Sequence, residues 1–133
     1  MIAVAECEDG LYLVEVETDE LVGHEPGGGV ERPRPTDLAP GWVSATLVDV
    51  DARDATIVLA VDSRPPLLVS YDAGMTWNER GAGLPVGRAV ALGPTPDDVL
   101  FGARNRLYVS SNGGVFWRAL GVELPEIRDI AWG

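Results

Sequence analysis

A single offset of 40 residues organises this chain. The segment Pro66-Leu67-Leu68-Val69-Ser70-Tyr71-Asp72-Ala73-Gly74-Met75-Thr76-Trp77 aligns at that offset with Arg106-Leu107-Tyr108-Val109-Ser110-Ser111-Asn112-Gly113-Gly114-Val115-Phe116-Trp117. The same shift carries Gly81-Ala82-Gly83-Leu84-Pro85 onto Gly121-Val122-Glu123-Leu124-Pro125. It also carries Arg88-Ala89-Val90-Ala91-Leu92-Gly93 onto Arg128-Asp129-Ile130-Ala131-Trp132-Gly133. Three blocks in one register mean a duplicated unit. A unit of this length is one supersecondary element that cannot bury its apolar face alone, so neighbouring copies must stack.

Each unit reads as strand, turn, strand. Short runs rich in Val, Ile, Leu and Thr cover residues 43–50, 56–62, 67–71 and 76–79, and then 88–92, 99–103, 107–111 and 116–120. Sixteen Gly and ten Pro among 133 residues supply the tight turns between them. No window carries the i, i+3, i+4, i+7 stripe of an amphipathic helix. The fold class expected is all-β. The N-terminal stretch is a worn third copy: residues 2–6 resemble 99–103, and Gly10-Leu11-Tyr12-Leu13-Val14 resembles Arg106-Leu107-Tyr108-Val109-Ser110. That copy begins at its second strand. Residues 127–132 match a first strand, so the C-terminus is expected to complete the first unit. Residues 23–40, with Gly27-Gly28-Gly29 and four prolines, are expected to form a mobile inter-unit loop.

Charge limits the partners. Ten basic and twenty-one acidic side chains give a formal charge of −11, and all ten cations are arginine. Nucleic acid and anionic membrane surfaces carry the same sign and are disfavoured. The absence of lysine excludes Schiff-base chemistry and a P-loop lysine. No apolar run reaches the length of a membrane span, and no basic leader precedes the acidic start. The single cysteine forms no intrachain disulfide, which fits a reducing, cytoplasmic setting.

Ser70-Tyr71-Asp72-Ala73-Gly74-Met75-Thr76-Trp77 fits the pattern Ser/Thr-x-Asp-x-Gly-x-Thr-Trp. It resembles the Asp-box, or bacterial neuraminidase repeat, of sialidases, sortilin-type receptors and photosystem II assembly factors. Ser110-Ser111-Asn112-Gly113-Gly114-Val115-Phe116-Trp117 resembles a second copy, with Asn112 in place of Asp and Phe116 in place of Thr. The resemblance implies four-stranded β-propeller blades. Blade 1 would cover about residues 1–26, completed by strand 127–132; blade 2 about 41–84; and blade 3 about 86–124, with 27–40 as a Gly/Pro-rich loop. It also implies that the box residues Ser70, Asp72, Gly74, Thr76, Trp77, Ser110, Asn112, Gly114 and Trp117 are structural. Asp72 accepts backbone N–H groups in its own turn, Gly74 supplies backbone freedom, and Trp77 covers the turn. The acceptor oxygen of Asn112 should preserve the second turn.

No catalytic, metal or cofactor site emerges. The Phe/Tyr-Arg-Ile-Pro signature of sialidases is absent, and Glu31-Arg32-Pro33-Arg34-Pro35 reads as a charged proline loop. Asp49-Val50-Asp51-Ala52-Arg53-Asp54 fails as a calcium loop, having Asp54 where Gly is needed, and reads as a strand-connecting turn. His24 and Cys7 each lack partners at zinc spacing and read as a surface histidine and a buried thiol. Arg88 and Arg128 occupy equivalent places at the start of an innermost strand. They are the candidates for binding a carboxylate or phosphate at a propeller mouth, set against pairing with Glu126 and Asp129.

The function expected is a non-enzymatic propeller module that binds a protein, peptide or small anionic ligand. The alternatives are a glycoside hydrolase or sialidase-like propeller fragment and a purely structural repeat. Three blades fall short of the usual ring, so a homodimer forming six blades is expected, each C-terminal strand completing the other chain's first blade.

Overall fold

The computed structural model describes residues 1–43 and 45–133. The strand expected at 43–50 spans Ser44, which lies outside the described residues. Twelve strands form three antiparallel four-stranded sheets, with one short 3-10 turn at Thr36–Leu38 and no α-helix among the described residues.

Sheet I contains β1 (Ile2–Cys7), β2 (Gly10–Glu15), β3 (Glu20–Glu25) and β12 (Asp129–Trp132), in the order β12-β1-β2-β3. Sheet II is the meander β4 (Leu47–Arg53), β5 (Thr56–Val61), β6 (Leu67–Ser70) and β7 (Asn78–Arg80). Sheet III is the meander β8 (Ala89–Leu92), β9 (Val99–Gly102), β10 (Leu107–Ser110) and β11 (Arg118–Ala119). In sheets II and III the outermost strand is shorter than expected, because the residues before it belong to the 70–77 and 110–117 loops.

Alternation along the strands decides which sheet meets which. On β8, Ala89 and Ala91 face sheet I, while Val90 and Leu92 face sheet II. Sheet III therefore lies between the other two. One core joins it to Ala3, Ala5, Val14, Ile127 and Ile130 of the sheet I side. The other joins Val90, Val99 and Phe101 to Val58, Leu67 and Val69 of sheet II. Ile57, Leu59 and Val61 point from β5 to the far side of sheet II, where Ala39, Val43, Ala45 and Trp77 cover them.

Strand β12 pairs with β1, matching Ala3 with Trp132 and Ala5 with Ile130, and so completes sheet I. Two expectations are corrected. Asp49–Arg53 is strand, not turn: β4 runs through to Arg53, and the hairpin turn is Asp54-Ala55, with Asp54 at φ 54°. The 23–40 stretch is no loose loop. Its first residues belong to β3; Val30 N–H donates to Glu6 Oε1 at 2.7 Å, and Ala39 packs on sheet II. Between those points Arg32 reaches carbonyls of β4, β8 and β12.

Candidate functional site

The loops at 70–77 and 110–117 have the same construction. Ser70 Oγ donates to Asp72 Oδ1 at 2.8 Å and accepts the Gly74 N–H at 2.8 Å. Asp72 Oδ1 accepts the Thr76 N–H at 2.8 Å, and Oδ2 accepts the Thr76 hydroxyl at 2.6 Å. Gly74 stands at φ 92°, and the Trp77 indole N–H donates to its carbonyl at 3.0 Å. In the second loop Asn112 Oδ1 takes the Ser110 hydroxyl and the Phe116 N–H, each at 2.9 Å, and Trp117 donates to the Gly114 carbonyl at 2.7 Å. Tyr71 joins the loops by donating its hydroxyl to the Gly113 carbonyl at 3.2 Å.

The Thr76 hydroxyl, followed by the Thr76 N–H and the Ser70 hydroxyl, pulls the Asp72 carboxyl from 3.8 down to about 2. A depressed carboxyl stabilises the fold above its ordinary value, and that contribution is lost as pH falls towards the folded value. Asp72→Asn should therefore flatten the decline in stability between about pH 4 and pH 2, with little change in slope at neutral pH. Urea midpoints measured across that range check it; an unchanged acid slope would contradict the assignment of these bonds.

The second feature is an arginine between β4, β8 and β12. Arg32 has its side chain only 10% exposed. Its Nη1 donates to the Val50 carbonyl of β4 at 3.3 Å, Nη2 to the Val90 carbonyl of β8 at 2.6 Å, and Nε to the Ile130 carbonyl of β12 at 3.0 Å. Those three residues are equivalent in the 40-residue repeat, so one guanidinium closes three copies at a single level. Nη2 also pairs with Asp49 Oδ2 at 2.5 Å. Two residues further along, Arg34 pairs through Nε with Asp49 Oδ1 at 2.8 Å and through Nη2 with Asp129 Oδ2.

The aspartates are tied in turn to the inner strands. Asp49 Oδ2 accepts the Val90 N–H at 2.9 Å, and Asp51 Oδ2 accepts the Leu92 N–H at 2.8 Å, linking sheet II to sheet III where no ladder joins them. The two guanidinium groups together offset the charge of the Asp49, Asp51 and Asp129 carboxylates. Sequence reasoning passed over this group. The available signal was the alternation: Asp49 and Asp51 share one face of a strand, and Arg32 and Arg34 are spaced the same way in an extended, proline-flanked segment.

Among the described residues a cleft of about 490 Å³ lies between sheets I and III. It is lined by Val16, Val109, Trp117 and Trp132, with Phe116 at the rim, 76% exposed; the Trp117 ring also packs against Phe101 on the sheet II side. Its charged groups are the Met1 ammonium, held by Glu15, together with Glu17, Asp98 and Arg118. Arg118 Nη2 is committed to the Val16 carbonyl at 2.5 Å, a bond that joins the two sheets. Asp98 accepts only the Thr95 hydroxyl, at 3.1 Å, and neither it nor Glu17 has an ion pair among the described residues.

Arg88 and Arg128 stand just before β8 and β12, both solvent-exposed. Arg88 Nη1 pairs with Glu126 Oε1 at 2.8 Å, while Arg128 has no ion pair among the described residues. No bond brings the two together. Cys7 is buried and donates to the Pro125 carbonyl at 3.4 Å; burial, with a smaller contribution from Asp9, pushes its thiol up to about 11, which suppresses the reactive thiolate. His24 stacks on Tyr12 with ring centres 4.3 Å apart and lies 3.1 Å from the Asp9 carbonyl. Among the described residues no helix is long and apolar enough to cross a membrane. No protein-family model, curated protein or solved structure matches the chain.

Proposed function

We propose that the chain is a non-enzymatic binding module whose three sheets are propeller blades stacked about a plugged axis, with the cleft between sheets I and III as its binding site. The observation that carries this reading is the aromatic-walled, 490 Å³ cleft, within the range of about 300–1,000 Å³ typical of small-molecule sites. Its few polar groups lie beside apolar walls, the arrangement that orients a ligand while the walls supply affinity.

The glycoside hydrolase reading has less support. The two axis arginines are held by Asp49 and Asp129, and the hydroxyls of Tyr12 and Tyr71 are engaged by Asp9 and Gly113. A sialidase-type mechanism would need free arginines and a Tyr–Glu pair. The six-bladed dimer also loses support, because Ala39, Val43 and Ala45 already cover the sheet II face that a partner would have to pack against.

Incubation with a panel of p-nitrophenyl glycosides and a fluorogenic sialoside tests the alternative. We expect release no faster than in buffer; turnover abolished by substitution of one side chain would overturn the binding-module reading.

A further inference from the structure

We propose that the cleft between sheets I and III recognises a small organic cation, an alkylammonium group carried on an apolar body. The proposal rests on the reading of the cleft as the binding site and adds the chemistry of the ligand.

The first ground is a broken local rule. At the equivalent place in the first loop, Thr76 gives its hydroxyl to Asp72 at 2.6 Å. Position 116 gives up that bond and presents a phenyl ring that is 76% exposed. Asn112 meanwhile removes the charge that Asp72 carries. An isolated loop gains nothing from exposing a large ring, and departures of this kind concentrate where a surface is used. Phe116 stands on the rim of a cleft already walled by Trp117 and Trp132.

The second ground is charge. Arg118 is bonded to the Val16 carbonyl, whereas Glu17 and Asp98 have no cationic partner among the described residues. The whole chain carries −11, so the field favours entry of a cation. Aromatic faces attract a cation through their quadrupole, and an alkylammonium satisfies them without needing a hydrogen-bond acceptor for every N–H. An anion would meet the opposite field, and the two cationic groups at the cleft, the Met1 ammonium and Arg118, are already held by Glu15 and by the Val16 carbonyl.

Titration of the ¹⁵N-labelled full chain with benzyltrimethylammonium, benzyl alcohol and benzenesulfonate tests the proposal. The cation should shift the amides of residues 111–118 and the indole N–H signals of Trp117 and Trp132. It should bind more tightly than the alcohol, and the difference should shrink as salt rises from about 20 to about 500 mM. Phe116→Thr, which restores the residue of the other loop, should weaken the cation by about 2–5-fold. Glu17→Gln combined with Asp98→Asn should weaken it while leaving the alcohol unchanged. Equal binding of alcohol and cation, or unchanged affinity in Phe116→Thr, overturns the cation and leaves the site standing. Tighter binding of the sulfonate overturns it in favour of an anion, with shifts near Arg88 and Arg128 placing that anion elsewhere. If no probe at about 10 mM, far above the affinity of ordinary small-ligand sites, shifts any cleft signal, both the site and the cation fall.

Discussion

Arg32→Ala should lower the unfolding free energy by up to about 3–5 kcal/mol, the cost typical of breaking a buried ion pair, with only Arg34 left beside Asp49. Three carbonyls, those of Val50, Val90 and Ile130, lose a charged donor together, and Asp49 keeps a carboxylate that is only 4% exposed. Domains of this size are stable by about 5–15 kcal/mol, so the variant should be marginal or unfolded at room temperature. Urea unfolding measures the loss. Arg32→Lys should fall between parent and alanine variant, because an ammonium restores the charge but not the fork that reaches three strands. Adding Asp49→Asn to Arg32→Ala should deepen the loss, because Asp49 still pairs with Arg34 in the single variant. An Arg32→Ala protein that melts like the parent would show that the axis is held by sheet packing alone.

Deletion of residues 127–133 should abolish the cooperative unfolding transition altogether. The deletion removes β12, the neighbour of β1, and takes with it Ile127 and Ile130, each 0% exposed. It also removes Asp129, which holds Arg34. The milder Ile130→Ala should remain folded and lose about 2–5 kcal/mol through the cavity it leaves. Because β12 pairs within its own chain, the parent should melt at a temperature independent of protein concentration and sediment near 14.2 kDa. A melting temperature that climbs with concentration, together with a doubled mass, would restore the exchanged dimer.

The strands and their grouping were legible because the information is local and repeated. Continuous apolar runs mark β5, β8 and β9, which are buried on both faces, and the 40-residue register identified 127–132 as a first strand without a unit of its own. The bonds of the 70–77 loop were legible for the same reason. Ser70, Asp72, Gly74 and Thr76 meet across separations of two to four residues, which backbone geometry alone brings together. Strand bounds were less clear: β4 extends to Arg53 because Asp49 and Asp51, poor strand formers by composition, gain partners from sheet III.

The destination of Arg32 was set by tertiary structure alone. Its three carbonyl partners lie 18, 58 and 98 residues away, and no pattern in a proline-rich segment announces where a guanidinium will go. The cleft is of the same kind. Val16 and Trp132 come from one sheet region and Phe116 from another, and only their packing makes a wall and a rim. The chain's periodicity therefore specifies three sheets, since each needs only its own alternation and turns. How those sheets close, and what lies open between them, depends on long-range pairing of charge and volume that no local rule encodes.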